Sequence, residues 1–164
     1  MSSRLVLAVA LAVVVTGCPS KEGEQKDAQT STSSGGGGPV GTGPLANLEA
    51  SPFANEVWRD EGGQQLQMIY FTRENVRVSG ACRMPDGKLT CEAIRFLRSG
   101  SPVLLAKREI DGRVSAGVKA CRKLGYQVQV LRNPMGSEDS VCRFPDGSLL
   151  ANGALEQYGM RVME

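Results

Sequence analysis

The feature that most constrains this fold is a phrase written twice. From Cys82 the chain reads CRMPDGKL, and from Cys142 it reads CRFPDGSL, with six of the eight positions identical. A repeat of this kind marks a duplicated supersecondary unit, so the chain beyond its N-terminal linker is expected to fold as two related halves. Pro-Asp-Gly is turn chemistry. Proline presets φ, aspartate accepts hydrogen bonds from nearby backbone N–H groups, and glycine supplies a positive φ. Asp86 and Asp146 therefore read as turn residues rather than as a catalytic carboxylate pair.

Periodicity supplies the rest of each unit. In the first copy Ser51-Pro52 is a helix start. FANEVWRDE places Phe53, Val57 and Trp58 near one helical face, and Gly62-Gly63 stops that helix. QQLQMIYF and NVRVSGACRM alternate as strands, PDGK turns the chain, and EAIRFLR is a short closing strand or helix. In the second copy Ser115 opens the helix AGVKACRKL and Gly125 stops it. YQVQVL and SVCRF are strands, NPMGSED is a loop, PDGS is the turn and ALEQYG closes the unit. Counting back from Gly62 and Gly125, Trp58 stands where the second copy has Cys121. The predicted fold is α+β: two tandem helix-strand-strand-turn repeats with antiparallel strands, following a disordered N-terminal tether. The repeats span 51–100 and 114–164. A connector, 101–113, contains VLLAKREI, a strand or helix of its own.

The N-terminus, MSSRLVLAVALAVVVTGCPS, combines Arg4 with an apolar run from Leu5 to Val15. A bilayer-spanning helix needs about 20 residues, so this run suits the apolar region of a secretory signal. Val15-Thr16-Gly17-Cys18 resembles a bacterial lipobox. That resemblance implies a lipoprotein signal peptide over 1–17, with Cys18 lipidated after cleavage and then acylated by fatty acids such as palmitate. The predicted partner is the membrane, through that anchor. The predicted location is the bacterial envelope, the outer membrane rather than the inner because Pro19, not Asp, follows Cys18. Residues 18–50 read as a flexible Ser/Gly/Pro linker, too poor in large apolar groups to offset its ordering entropy. About 30 such residues reach roughly 30 Å. The Gly35–Gly38 run lacks the Lys-Ser/Thr of a phosphate loop.

Four cysteines remain besides Cys18, and in an exported chain they favour disulfides. If Pro85–Lys88 is a four-residue hairpin loop, Cys82 faces Cys91 across it. Ala151 occupies the matching position in the second copy, so Cys142 needs another partner, and Cys121 is the only other cysteine there. The repeat thus favours Cys82–Cys91 with Cys121–Cys142, against a cross-repeat pairing such as Cys82 with Cys142. With no histidine in the chain and no C-x-x-C spacing, neither a metal site nor a nucleophile-base arrangement finds a motif, and no cofactor is expected.

Charge is uneven. Residues 73–132 hold thirteen basic and five acidic side chains, a formal +8, while 20–72 carry −4 and 133–164 carry −3. Arg77 and Arg83 are expected on one strand face, with Arg122 and Lys123 on the second helix. Together they form a candidate anion-facing patch for an anionic lipid, a glycan or an acidic protein. Export and the scarcity of aromatics argue against nucleic acid.

The whole pattern resembles a small bacterial domain of unknown function, frequent in lipoproteins and often labelled a hemolysin. Its features are a helix cysteine, Gly-Gly, a strand, Cys-x-Phe-Pro-Asp-Gly, and a closing Cys-x-Glu-Trp-Ala with Arg-Gly. The second copy carries Cys121 and matches Cys142 to Gly147 in full, without the closing cysteine. The first copy carries Gly62-Gly63, Cys82 to Gly87, Cys91-Glu92 and Arg98, with Ile94 in place of the Trp. The sequence reading is therefore a membrane-anchored, non-enzymatic envelope module. The family label implies the alternative, a membrane-perturbing hemolysin.

Overall fold

A computed structural model describes residues 45–164. The predicted signal peptide, Cys18 and the predicted linker as far as 44 lie outside the described residues. In chain order the elements are β1 (Phe53–Arg59), β2 (Gln65–Phe71), β3 (Val76–Ser79), α1 (Glu92–Arg98), β4 (Val103–Ala106), α2 (Ala116–Lys123), β5 (Gln127–Arg132), β6 (Glu138–Arg143), β7 (Leu149–Ala151), α3 (Asn152–Tyr158) and β8 (Met160–Met163). Six strands close an antiparallel barrel in the order β1-β2-β3-β7-β6-β5, and β4 pairs with β8 in a separate two-stranded parallel sheet.

This barrel corrects the predicted α+β arrangement of two helix-strand-strand-turn repeats. The decisive error is at 53–61, predicted as a helix. Phe53–Arg59 is instead β1, paired with β2 through seven positions from Phe53↔Phe71 to Arg59↔Gln65. The reason is period. Trp58 is buried and Glu56 half-buried, while Phe53 and Val57 are exposed. A helical face would gather Phe53, Val57 and Trp58 together. A strand sends Trp58 to one side and the other two to the opposite side.

Gly62-Gly63 correspondingly ends no helix. Gly63, at φ 81°, completes a hairpin between β1 and β2. There the Asp60 N–H donates to the Gln64 carbonyl and the Gly63 N–H to the Asp60 carbonyl. The same pair of bonds recurs at Met84–Lys88, Asn133–Ser137 and Phe144–Ser148. Each loop has three residues, the last a glycine with φ between 81° and 86°. This is the type I turn with a glycine bulge that suits right-twisted strands. The Pro-Asp-Gly phrase is thus one instance of a turn used four times. The loop is Pro85–Gly87 rather than Pro85–Lys88, so Arg83 pairs with Leu89, one position away from the expected register.

The barrel interior holds Trp58, Met68, Leu131, Val141 and Leu149, with Leu66 against them. A six-stranded barrel is narrow enough for side chains to fill. The outward residues of the same strands, among them Ile69, Phe71, Val76, Val78 and Leu150, join a second core with the helices. Helix α1 contributes Ala93, Ile94 and Leu97, and α3 contributes Ala154 and Leu155. Leu45 and Leu48 pack into this second core as well.

Both disulfides are present, Cys82–Cys91 with Cα atoms 5.0 Å apart and Cys121–Cys142 with Cα atoms 5.6 Å apart. The first joins residues one step off direct opposition, because Thr90, not Cys91, donates its N–H to the Cys82 carbonyl. The second fastens α2 to β6.

Candidate functional site

The charged residues singled out in the sequence do not form one patch. Arg77, on β3, alternates with the outward Val76 and Val78 and so points into the barrel. Its guanidinium lies 4.9 Å from the Trp58 ring centroid and 4.5 Å from that of Tyr70. Its Nε donates to Glu56 at 2.6 Å and its Nη1 to Asp139. The Trp58 Nε1–H donates to the same Glu56 carboxylate at 2.7 Å. Burial disfavours the charged guanidinium, but the hydrogen bonds and charges of Glu56 and Asp139 outweigh it and raise the Arg77 pKa.

Arg83 lies elsewhere. Its guanidinium stacks 4.4 Å over Phe53, on the outside of the barrel. The strand alternation expected to align it with Arg77 is broken by a 3-10 turn over Gly80–Cys82. Arg122 is exposed on α2. Lys123 pairs with Glu109 at 3.2 Å. Of the four, Arg77 is the one locked between two carboxylates, and that cluster carries one more negative than positive charge.

Glu56, Asp139 and Tyr70 around Arg77 were not foreseen. The period-two placement of Glu56 and Trp58 was the available signal, obscured by the helical reading of the same residues.

The repeated turns meet the opposite copy in an unequal way. Asp146 accepts the Glu92 N–H at 2.7 Å, and the Glu92 carboxylate accepts the Asp146 N–H at 3.1 Å. Ser148 Oγ accepts the Ala93 N–H at 3.2 Å and donates to Asp146 at 2.6 Å. The turn of the second copy therefore satisfies the first N–H groups of α1 in the first copy, whose own N-cap residue, Cys91, offers no side-chain acceptor. Burial pushes the Asp146 carboxyl pKa up, but hydrogen bonds from Ser148 and from the Glu92 and Ser148 amides outweigh it and hold it below its ordinary value. With its oxygens committed in this way, Asp146 is a structural anion. Asp86 only accepts the Lys88 N–H within its own turn and pairs with the Lys88 ammonium.

Beside this junction lies a groove of about 370 Å³ whose lining includes Gln65, Leu66, Gln67, Thr90, Asp146 and Ser148. A second groove, of about 470 Å³, lies between Asp60 and Glu61 of the first hairpin and Val130, Arg132 and Glu138 of the third. Amide and hydroxyl groups in the first and carboxylates in the second can hydrogen-bond a polar ligand. Among the described residues, no group of three His, Cys, Asp or Glu side chains gathers as a metal site requires. Comparison with known protein families, with characterised proteins and with solved structures finds no match.

Proposed function

We propose that this chain is a bacterial envelope lipoprotein, exported and anchored by lipid on Cys18, more specifically in the outer membrane. Its barrel domain acts as a binding or structural module without catalytic activity. The observation that carries this reading is the cysteine arrangement. The chain has five cysteines, and four of them close two disulfides within one domain. That pattern belongs to an oxidising compartment. It leaves Cys18 as the cysteine outside them, at the end of an apolar export signal. The two copies read as divergent examples of the lipoprotein-associated domain that their motifs resemble.

The lytic alternative has less to draw on. In the segment Pro102–Ile110, Val103 and Leu105 are buried in the core, so unfolding would be needed to insert it into a bilayer. Expression of Cys18→Ser with labelled palmitate tests the anchor. The expected result is loss of label and release from the membrane fraction. Unchanged fractionation of that variant would refute the anchor. Dye leakage from vesicles at low protein concentration would favour the lytic reading.

A further inference from the structure

The connector strand β4 and the last strand β8 stand apart from the barrel and leave one face uncovered. Val103 and Leu105 of β4 point into the core, as does Met160 of β8. The alternate residues, Leu104, Arg161 and Met163, therefore point away from it, and Leu104 and Arg161 are register partners. Leu104 is 46% exposed and Met163 43%. An exposed edge strand carrying apolar side chains calls for a cover.

The unpaired charges that flank the two strands are three cations and one acid, the exposed Glu164 after β8. Lys107 and Arg108 follow β4 directly and are exposed, as is Arg161. None of the three forms an ion pair among the described residues, whereas the neighbouring acids Glu109 and Asp111 are held by Lys123 and Lys119. Leu45, the first described residue, is held at the end of α1, the helix that precedes β4. The Leu45 carbonyl accepts from Arg98 at the end of α1, and Arg98 also forks onto Glu49. Four residues lie between Arg98 and Val103, so their Cα atoms are within about 18 Å.

We propose that the β4–β8 face, with Lys107 and Arg108 beside it, docks on an anionic lipid bilayer. This deepens the lipoprotein reading and rests on it, because a lipid on Cys18 would hold the domain close to a membrane surface. Leu104 and Met163 enter the headgroup boundary while the three cations meet lipid phosphates. Each such cation contributes about 1 kcal/mol of attraction near an anionic surface. Tethering makes weak contact sufficient, since the second binding event becomes intramolecular.

The test uses the chain from position 18 onward carrying Cys18→Ser, so that no lipid is attached and failure of the anchor cannot affect it. It is sedimented with vesicles of phosphatidylcholine alone or rich in phosphatidylglycerol, at low and high salt. The expected result is binding to the anionic vesicles that weakens with salt. It should fall about fivefold for Arg161→Gln and again for Arg108→Gln, and be lost in Leu104→Asp. Arg132→Gln, on the barrel, should bind as the parent does, and the fluorescence of Trp58 should be the same in all four variants. Equal binding to both kinds of vesicle, no binding, or an equal loss in Arg132→Gln would overturn the proposal. So would a concentration-dependent dimer that Val162→Pro abolishes, which would mean that a second copy covers the edge.

Discussion

Two glycines on facing helices should respond to the same substitution with opposite signs. Gly117, in the first turn of α2, lies against α3 so closely that a Cβ there would sit 1.9 Å from the Asn152 carbonyl oxygen and 2.7 Å from its carbon. The obstacle is backbone, not the end of a flexible side chain. To reach ordinary van der Waals separation, the helices would have to part by about 1.5 Å. They cannot part freely. Cys121 binds α2 to β6, and the Gly117 N–H donates to Glu156 of α3 at 3.2 Å. Overpacking of this kind costs about 1–3 kcal/mol, and the fixed obstacle argues for the upper end. Helix propensity acts the other way, by about 1 kcal/mol in favour of alanine. The net expectation for Gly117→Ala is a loss of about 2 kcal/mol.

Gly153, in α3, has nothing within 4 Å of the position its Cβ would take. Gly153→Ala should therefore gain about 0.5–1 kcal/mol by restricting the unfolded chain. Thermal unfolding of the oxidised protein, followed by circular dichroism, would read both. At about 4 °C per kcal/mol for a domain of this size, the two variants should bracket the parent. A Gly117→Ala protein as stable as the parent would refute the close approach of α2 and α3. A destabilised Gly153→Ala would refute the open space at α3.

The disulfides should differ in worth. Replacing Cys121 and Cys142 by serine opens a loop with a sequence separation of 21, against 9 for Cys82 and Cys91. Loop entropy predicts losses of about 3.4 and 2.7 kcal/mol, measurable by urea unfolding; the reverse order would count against it. Arg77→Leu leaves Glu56 and Asp139 facing each other without a cation. Because those carboxylates are 27% and 25% exposed, the loss should fall to about 2–3 kcal/mol, below that of a fully buried pair. Emission from Trp58, the chain's single tryptophan, should shift with it. The Glu49 carboxyl is held below its ordinary pKa, chiefly by its hydrogen bonds from Arg98. The unfolded carboxyl titrates near 4.3, so this contribution is complete above that pH and is lost as pH falls through the lower folded value. Hydrogen exchange of Leu48 to Ser51 should accelerate over that acid range in the parent and already be fast at neutral pH in Glu49→Gln.

Much of the second copy was legible from its residues. Ser115 does cap α2, accepting the Val118 N–H, and Val128, Val130 and Cys142 do alternate on paired strands. The Pro-Asp-Gly turns were legible because proline and glycine impose their conformations locally. The first copy was misread where it departs from the second. Residues 53–59 have apolar side chains at spacings that both periods can accommodate, and alignment to α2 pulled the reading toward a helix. What selects the strand is tertiary: hydrogen bonds to β2, and an interior in which Trp58 meets Met68 and Leu131. The polar cluster was hidden for the same reason. Glu56 and Asp139 are far apart in sequence, and only barrel closure brings both to Arg77. Nor could local reading show that the Asp146 turn reaches across to Glu92 in the other copy.

The exchange of a helix for a strand is what lets two unequal copies close a barrel. Each copy contributes one long hairpin, β2-β3 in the first and β5-β6 in the second, and four strands alone would leave both ends open. A barrel needs a bridging strand on each side. The second copy supplies β7 after its hairpin, and β7 reaches the first copy through Val78↔Leu150. If the first copy did the same, its third strand would compete with β7 for the edge of β3. That strand is reduced to the single Arg83↔Leu89 bridge, pinned by Cys82–Cys91. The first copy instead supplies β1 before its hairpin, and β1 reaches the second copy through Arg59↔Arg132. The result is two three-stranded meanders, joined on each side by one residue pair and by the bond from the Leu149 N–H to Ser79 Oγ at 3.0 Å. Ala151 can stand where the first copy has Cys91 because the second copy has a full β7 to hold its turn, while Cys142 is free to fasten the helix that the first copy gave up.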